Sequence, residues 1–409
     1  MNPILFAIPV FLITILLEAF FAWRKNRMVY DIPDAVTSLH HGVLSQLTGL
    51  MFKIVFIGLY VTVYERYRAA ALSETSLWVW LFAMLFYDFC YYWAHRFEHE
   101  VGVLWAAHIV HHSSEYYNLS TALRQPSTTW LFTWIFFLPL AVAGVPPEVF
   151  IGVGLIDLLY QYWVHTELVG KLGWFDRIFS SPSNHRVHHG KNDYCIDKNY
   201  GGVFIFWDRM FGTFEEERDD ETIMYGIRNP LHSYNPLWGV MHYYHELWQA
   251  MQQASGWRAK LGIWIAPPGL WNDAGLAHLE TTGMQRFVWH TPAAVRWYVA
   301  VQYLLTVPLI MHCIGIGEQL DAMQLTLYLV VLVGTMQVLG ALLNMQRNAY
   351  LLELVRTVAL GLAFFLSPNW FGYGAPVAVK IATLGTMLGS ALWIVMIQRN
   401  QTGTAGTAA

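Results

Sequence analysis

Charged residues are scarce in this chain. Lys, Arg, Asp and Glu make up 13% of its 409 residues, whereas a soluble protein usually carries about a quarter. Hydrophobic residues make up 56% and aromatic residues 16%, and the net charge is −4 at pH 7. No basic stripe alternates with aromatic residues. This composition argues against a nucleic-acid partner and indicates a membrane protein.

Cysteine is almost absent as well. Cys90, Cys195 and Cys313 are far apart and lack a CxxC spacing, so neither a disulfide framework nor a thiolate metal site is implied, and we expect core thiols. The chain lacks an HExxH motif, which weakens the case for zinc hydrolysis. It also lacks the HPGG segment of a cytochrome b5-like domain and the GxGxxG fingerprint of flavin or nicotinamide binding. A redox reaction would therefore need an external reductant.

Nine apolar stretches are long enough, or nearly so, to cross roughly 30 Å of hydrocarbon. They lie near residues 4–23, 43–64, 77–94, 129–146, 148–165, 294–316, 322–343, 350–367 and 374–397. Gly144, Pro146 and Pro147 form a tight turn between the fourth and the fifth, so this pair either spans twice or is a re-entrant hairpin. We predict an all-α polytopic membrane protein with about nine transmembrane or re-entrant helices.

The charges around the first stretch predict the orientation. No charge precedes it, and Arg24, Lys25 and Arg27 follow it, so the positive-inside rule places the N-terminus outside and this loop in the cytoplasm. Counting onward places the ends of the third and fifth stretches on the cytoplasmic face. The polar region at about 166–293 is then expected to be a cytoplasmic helical cap. Its membrane would be a bacterial inner membrane or, in a eukaryote, the endoplasmic reticulum.

The chain is predicted to have two domains. Residues 1–293 would form the membrane catalytic domain, with a core at about 77–250, and residues 294–409 a four-helix transmembrane region. Between Pro236 and Leu261, apolar residues recur at three- and four-residue steps, which predicts an amphipathic helix lying in the membrane interface.

Histidine is abundant, with 17 residues, and eight of them fall into three clusters just beyond apolar stretches. The clusters are His95 with His99, then His108, His111 and His112, then His185, His188 and His189. Imidazole suits iron, copper, zinc and nickel, and eight ring nitrogens exceed what one four- to six-coordinate ion accepts. A lone histidine is more simply a satisfied polar residue, but three clusters of neutral rings are costly to assemble without a partner. The sequence therefore predicts a site for two metal ions.

The spacing within the clusters is helical. HRFEH has its histidines four residues apart, and HIVHH and HRVHH have theirs at i, i+3 and i+4, which a helix gathers within about 100° on one face. Asp88 lies about 20° from the helical face of His95, and Asp157 lies on roughly the face of His165. We expect these two carboxylates to accept ring N–H groups and so hold the rings in one tautomer.

Metals at the membrane boundary, beside apolar helices, suit the oxidation of a lipid chain. Two irons can share the electrons needed to cleave O2 and attack an unactivated C–H bond, whereas zinc has no redox chemistry. A lipid monooxygenase is the first hypothesis, and a sterol or fatty-acyl hydroxylase or desaturase is an alternative with the same chemistry. From another class, a histidine-rich zinc transporter or a membrane zinc hydrolase would use similar ligands, although transporters usually place them near the bilayer midplane.

The three histidine motifs, with DFCYYW before the first and KNYGGVFIFWDRMFGTF after the last, resemble the fatty acid hydroxylase/sterol desaturase superfamily of membrane di-iron enzymes. The details are most similar to its alkylglycerol monooxygenase branch, because Glu100 directly follows HRFEH. The segments QYWVHTE (161–167), PSNHRVHHG (182–190) and YGIRNPLHSYNPLW (225–238) are also similar to that branch. The likeness covers roughly residues 30–275.

The resemblance implies a ligand set and a reaction. The eight clustered histidines would bind two irons, His165 would be a further ligand, and Glu100 would be needed for activity, while Gln161 stands where some relatives have another histidine. O2 would be the oxidant, and tetrahydrobiopterin or another external donor would supply electrons. The reaction would cleave an ether lipid by hydroxylating the carbon next to the ether oxygen. The partners expected are a membrane lipid and an external reductant, with no nucleic acid; the oligomeric state is left open.

Overall fold

The computed structural model describes residues 4–270, 286 and 290–405. Within these residues the chain is all-helical, with about 70% of it in helices. The described residues form no strands, only isolated β-bridges. The predicted all-α class is confirmed.

Sixteen α-helices are described. Before residue 270 they are α1 (Ile4–Arg24), α2 (Ile32–Tyr67), α3 (Leu77–Glu100), α4 (Gly102–His112), α5 (Leu119–Ala122), α6 (Trp130–Ala143), α7 (Pro147–Trp163), α8 (Phe175–Ile178), α9 (Pro182–His188), α10 (Phe206–Phe211), α11 (Pro236–Gln253) and α12 (Trp257–Ile265). After residue 290 they are α13 (Ala293–Ile316), α14 (Ala322–Leu343), α15 (Ala349–Leu366) and α16 (Val377–Ala405).

These helices belong to two compact units. Residues 6–231 and 238–287 form the first, which we call the histidine unit, and residues 1–5, 232–237 and 288–409 form the C-terminal unit. The predicted domain boundary at residues 293 and 294 stays a prediction.

Six of the described helices are long and apolar enough to cross a membrane, and the chain is an integral membrane protein on that ground. They are Ile4–Arg24, Leu77–Glu100, Ala293–Gln319, Ala322–Leu343, Ala349–Leu366 and Val377–Gln401. α2 adds a seventh if its two halves, which are bent by 53°, count as one span. The prediction of nine spans is therefore not confirmed.

The difference lies mainly in α6 and α7. α6 has 14 residues and α7 has 17, which at 1.5 Å per residue gives lengths of about 21 and 25 Å. Gly144 ends α6 in the left-handed conformation, with φ of 92°, and Pro147 begins α7. The two helices are thus a tight hairpin, each member shorter than the sequence suggested.

The predicted amphipathic helix is two helices. α11 ends at Gln253, and α12 starts after Gly256, whose φ of 85° does not continue a helix. Leu247 of α11 and Ile263 of α12 both pack around Ala106 of α4. This packing covers one side of α4, the helix that carries the second histidine cluster.

The third cluster lies on α9, a helix of only seven residues. Ser181 caps its N-terminus by accepting the Asn184 N–H, the Asn184 side chain accepts the Ser181 N–H, and Pro182 occupies the first turn. This capping box compensates for the small number of internal hydrogen bonds in so short a helix.

The C-terminal unit contains a buried polar network. The Glu353 carboxylate, which is fully buried, accepts the Tyr298 hydroxyl at 2.6 Å and the Arg356 guanidinium at 2.6 and 2.7 Å. Arg356 also donates to Gln302, which donates to Ser390. The network joins α13, α15 and α16, and since its charges are paired it holds these helices together.

Candidate metal centre

Nine histidines gather in the histidine unit, and none of them is more than 9% exposed. Their ring nitrogens form two groups, and within each group one nitrogen per residue lies within 4.8 Å of all the others. The five-histidine group is His95, His99, His108, His112 and His188. The four-histidine group is His111, His165, His185 and His189. The structure thus brings together all nine histidines that the sequence singled out.

The groups do not follow the sequence clusters. α4 gives His108 and His112 to the five-histidine group but His111 to the four-histidine group. The HRVHH segment of α9 does the reverse, because His188 joins the five-histidine group while the other two histidines join the four-histidine group. The two groups are adjacent, since the stacked rings of His112 and His189 have their centroids 4.4 Å apart.

The distances in the four-histidine group are those of nitrogens that share an ion. The Nε2 atom of His165 lies 3.4, 3.1 and 3.2 Å from the Nε2 atoms of His111, His185 and His189, and the last two are 3.2 Å apart. Nitrogens about 2.1 Å from one ion, at tetrahedral or octahedral angles, are separated by roughly 3.0–3.4 Å. The group is therefore of a size that fits one ion.

Backbone carbonyls fix the tautomer of four of the rings. The Nδ1 atoms of His95, His111, His165 and His188 bond to the carbonyl oxygens of Tyr200, Arg124, Gln161 and Lys198, at 2.8, 2.9, 2.7 and 2.9 Å. Because a carbonyl oxygen only accepts, each Nδ1 carries the hydrogen, and the Nε2 lone pair points into the group. Metal-binding histidines are usually oriented in this way.

Burial keeps these rings neutral. It lowers the pKa of His108 and of His111 to about 3, and it lowers the pKa of His185, His188 and His189 well below the usual value. Neutral imidazole is the form that binds metals. Lone pairs converging in a buried site repel one another unless a cation lies between them, so the donor set fits two divalent ions, with iron, zinc and copper all acceptable to nitrogen ligands.

Asp88 does not contact a histidine ring, contrary to the prediction. Its carboxylate accepts the N–H groups of Val203 and Phe204 at 2.6 and 3.0 Å and the Trp207 indole N–H at 3.0 Å. These three donors occupy the carboxylate, and the Nδ1 of His95 already bonds to the Tyr200 carbonyl. Asp88 therefore acts on the site through the loop that includes Val203 and Phe204.

Asp157 does not contact the His165 ring either. Its Oδ2 accepts the Gln161 side-chain amide at 2.7 Å, and the Gln161 side-chain oxygen accepts the Tyr91 hydroxyl at 2.8 Å. The Gln161 side chain thus links α3 to α7 by hydrogen bonds, while its backbone carbonyl accepts the His165 ring N–H. At position 161, where some relatives have another histidine, the Gln161 amide hydrogen-bonds to the Asp157 carboxylate and the Tyr91 hydroxyl.

Glu100 lies at the end of α3 and pairs with Arg96 at 2.8 Å, and its side chain is 37% exposed. A catalytic role for Glu100 stays a prediction. Glu98 is the buried carboxylate nearer the site, because its Oε2 lies 3.0 Å from Nδ1 of His108, although without hydrogen-bond geometry. Its position three residues after His95, on a neighbouring helical face, is the sequence signal that would have indicated it.

Arg124 was not expected in the site. It is 2% exposed, and its guanidinium donates to Asp34 at 2.9 Å and to the hydroxyls of Ser38 and Ser113 at 3.0 Å, while its own carbonyl holds His111. Asp34 is 90 residues away in the sequence, so no local pattern reveals the pair.

Asp208 supports the hydrogen bond between the Tyr200 carbonyl and His95. Its carboxylate accepts the N–H groups of Tyr200 and Gly201 at 2.7 and 2.8 Å and the Thr213 hydroxyl at 2.7 Å. Burial raises the pKa of Asp208 to about 6, while the hydrogen bonds from Thr213, Tyr200 and Gly201 favour the ionised carboxylate. It thereby fixes the Tyr200 carbonyl that orients His95.

Replacing Asp208 with asparagine is expected to weaken metal binding in the five-histidine group by about 10- to 100-fold, the usual effect of losing an outer support of a ligand. The asparagine amide adds an N–H donor where Tyr200 and Gly201 already present donors. Metal titration of the purified protein measures the change, and Asp219→Asn, at a residue whose side chain is 89% exposed, is the control. Equal affinities in Asp208→Asn and wild type would refute this role.

Known proteins match this chain over most of its length. The family model described as fatty acid hydroxylase matches residues 80–213. An alkylglycerol monooxygenase of Danio rerio is 40% identical over 389 residues, which cover 92% of this chain and 84% of the relative. The protein of the same name from Homo sapiens is 36% identical over 385 residues, with the same two coverages of 92% and 84%.

A bacterial relative matches a smaller part. The ornithine lipid hydroxylase OlsE of Rhizobium tropici is 33% identical over 128 residues, 31% of this chain and 39% of the relative. No solved structure matches the chain. The matched family segment, 80–213, contains all nine histidines of the two groups.

Proposed function

This chain belongs to the family of the alkylglycerol monooxygenases and is a lipid monooxygenase. From that premise we propose that it cleaves alkyl ether lipids at a di-iron centre formed by its nine buried histidines. The observation that carries the proposal is the division of those histidines into two adjacent groups, each sized for one ion. Two irons, when bound, would supply the activation of O2 that C–H hydroxylation requires. The sterol, fatty-acyl and zinc alternatives are not favoured.

The reaction consumes one O2, two electrons and two protons. One oxygen atom enters the C–H bond of the alkyl carbon next to the ether oxygen, and the other leaves as water. The hemiacetal that results collapses, because the carbon to ether-oxygen bond breaks as the new hydroxyl loses its proton. The products are a fatty aldehyde and a glycerol derivative that keeps the ether oxygen as its hydroxyl.

The chain's own residues hold the centre in place. The carbonyls of Tyr200 and Lys198 orient His95 and His188, and Asp88 and Asp208 fix the backbone around them. Burial of the nine rings excludes water from the centre.

Several finer features belong to the same proposal. Tetrahydrobiopterin, or another external donor, supplies the electrons, since the chain has no haem, flavin or nicotinamide motif. Glu100 is proposed to act in catalysis, and Asp88 and Asp157 to position the site. The basic residues at the end of α1 and just beyond it support a cytoplasmic site and an N-terminus outside, with residues 166–293 as a cytoplasmic cap. They are Arg24, Lys25 and Arg27.

Oxygen labelling tests the reaction. We expect iron-loaded protein, given a reduced pterin, ¹⁸O2 and an alkylglycerol, to form fatty aldehyde and glycerol, with the label in the aldehyde after trapping as the alcohol. Sterols and acylglycerols should give no product, and zinc-loaded protein should be inactive. Label in the glycerol, product formation without O2, or oxidation of sterols in place of ether lipids would contradict the proposal.

A further inference from the structure

A second group of buried polar atoms lies between α2 and α11. His41 of α2 is fully buried, and neither of its ring nitrogens has a hydrogen-bonding partner among the described residues. His242 of α11 is 4% exposed, and its Nδ1 donates to the Gly239 carbonyl at 2.9 Å, which leaves its Nε2 without a partner in the same part of the chain. We call His41 and His242 the histidine pair.

Both rings meet the same backbone segment. The Cε1 and Nε2 atoms of His41 lie 2.5 and 2.7 Å from the position that a Cβ of Gly239 would take, and His242 bonds to the carbonyl of that glycine. Only a glycine leaves room for the His41 ring at this place. The pair is therefore fitted to α11 and is not a loose surface feature.

Unpaired ring nitrogens are costly in a buried place. A neutral imidazole has one donor and one acceptor, and native proteins satisfy nearly all buried polar groups. Three unpaired ring nitrogens at one place thus point to a polar ligand that both donates and accepts hydrogen bonds.

Residues next to the histidine pair contact the surroundings of the metal centre. Gly42, the residue after His41, packs directly on the Leu123 carbonyl, and the next carbonyl, that of Arg124, holds His111. On the other side, Tyr243, next to His242, packs in the cluster that contains Ala106 of α4. The helices that carry the pair therefore contact the elements that carry the metal-centre histidines.

We propose that His41 and His242 bind the hydroxyl groups of the lipid substrate, so that the adjoining ether carbon faces the two histidine groups. This inference rests on the proposed function. A hydroxyl donates and accepts, as a neutral imidazole requires. A phosphate would need a cation, and Arg124, the arginine whose charge acts on His41, is engaged by Asp34, Ser38 and Ser113. The chemistry therefore favours an uncharged glycerol end over a phosphorylated one.

The test compares two substrates on full-length, iron-loaded protein. One is an alkylglycerol with two free hydroxyls, and the other is the same ether with both hydroxyls methylated. In His41→Leu and His242→Leu we expect the KM for the diol to rise by about tenfold or more, with the KM for the methylated ether, the kcat and the iron content unchanged. His245→Leu, at an exposed position of the same helix, should match wild type.

The other outcomes are also decisive. An unchanged preference for the diol in both variants, or equal losses with both substrates, would overturn the inference and leave the pair as a packing or water-binding feature. A preference of wild type for a phosphorylated ether lipid that the variants lose would overturn the choice of an uncharged ligand. If wild type oxidises no ether lipid, the proposed function fails separately, and the hydroxyl site is then judged by whether the diol, but not the methylated ether, raises the unfolding temperature of wild type more than that of His41→Leu.

Discussion

Replacing His188 with alanine is expected to abolish turnover, by on the order of a thousandfold or more, because the five-histidine group loses the donor that α9 contributes. The protein should still insert in the membrane and keep the iron of the intact four-histidine group, while the five-histidine group, left with four donors, binds its iron more weakly. His189→Ala, one residue on, should weaken iron binding in the four-histidine group instead, since His189 belongs to it. Iron analysis of purified variants, together with product formation from an alkylglycerol, measures both effects.

Weaker binding at a different iron site in each of two variants at adjacent residues would be specific evidence for the two groups. Distinguishing the two losses requires a spectroscopic readout of the remaining iron, because the two sites differ in the number of nitrogens around the ion. His245→Ala, at an exposed position on α11, is the control and should retain two irons and full activity. If His188→Ala kept two irons and normal turnover, the assignment of the nine histidines as ligands would be wrong.

Replacing Arg124 with methionine is expected to destabilise the protein by about 3–5 kcal/mol, the usual cost of leaving one partner of a buried ion pair alone. Asp34 would keep a charge in a site where its side chain is 8% exposed, without the guanidinium 2.9 Å away. The Arg124 carbonyl that orients His111 would also shift, so metal binding in the four-histidine group should weaken. Thermal unfolding in detergent and metal titration measure the two effects.

A double variant separates the charge from the positioning. Arg124→Met combined with Asp34→Leu removes both charges, so much of the lost stability should return. Metal affinity should stay low in the double variant, because the hydrogen bonds to Ser38 and Ser113 that fix residue 124 remain absent. Arg68→Met is the matched control, since Arg68 pairs with Glu65 on the surface and its loss should change little. An unchanged unfolding temperature in Arg124→Met would count against the structural role of the buried pair.

Asp88 and Asp157 show where local spacing misled. Asp88 does share α3 with His95. However, His165 lies beyond the end of α7 at Trp163, so it and Asp157 have no common helical face. Backbone carbonyls accept the ring N–H groups of His95 and His165. The two carboxylates accept hydrogen bonds from other N–H groups nearby. Every residue has a carbonyl, so no residue type in the sequence signals which four of them face a ring.

The membrane class and the gathering of the histidines were predictable from the sequence alone, because they depend on composition and on short-range periodicity. Low charge and long apolar stretches require a lipid environment, and HIVHH and HRVHH place three rings on one wedge of a helix. The spans were predicted less well, since α6 and α7 are shortened by the turn at Gly144.

Only the tertiary structure decided which histidines lie in the same group. On a helix, His108 and His112 lie about 40° apart, while His111 lies about 100° from His112. The three rings can therefore face two different neighbouring groups. The side that meets a given partner depends on the approach of α3, α9 and the chain after α7, and this is a long-range packing property. The same holds for Arg124 with Asp34 and for His41 with Gly239, whose contacts join residues far apart in the chain.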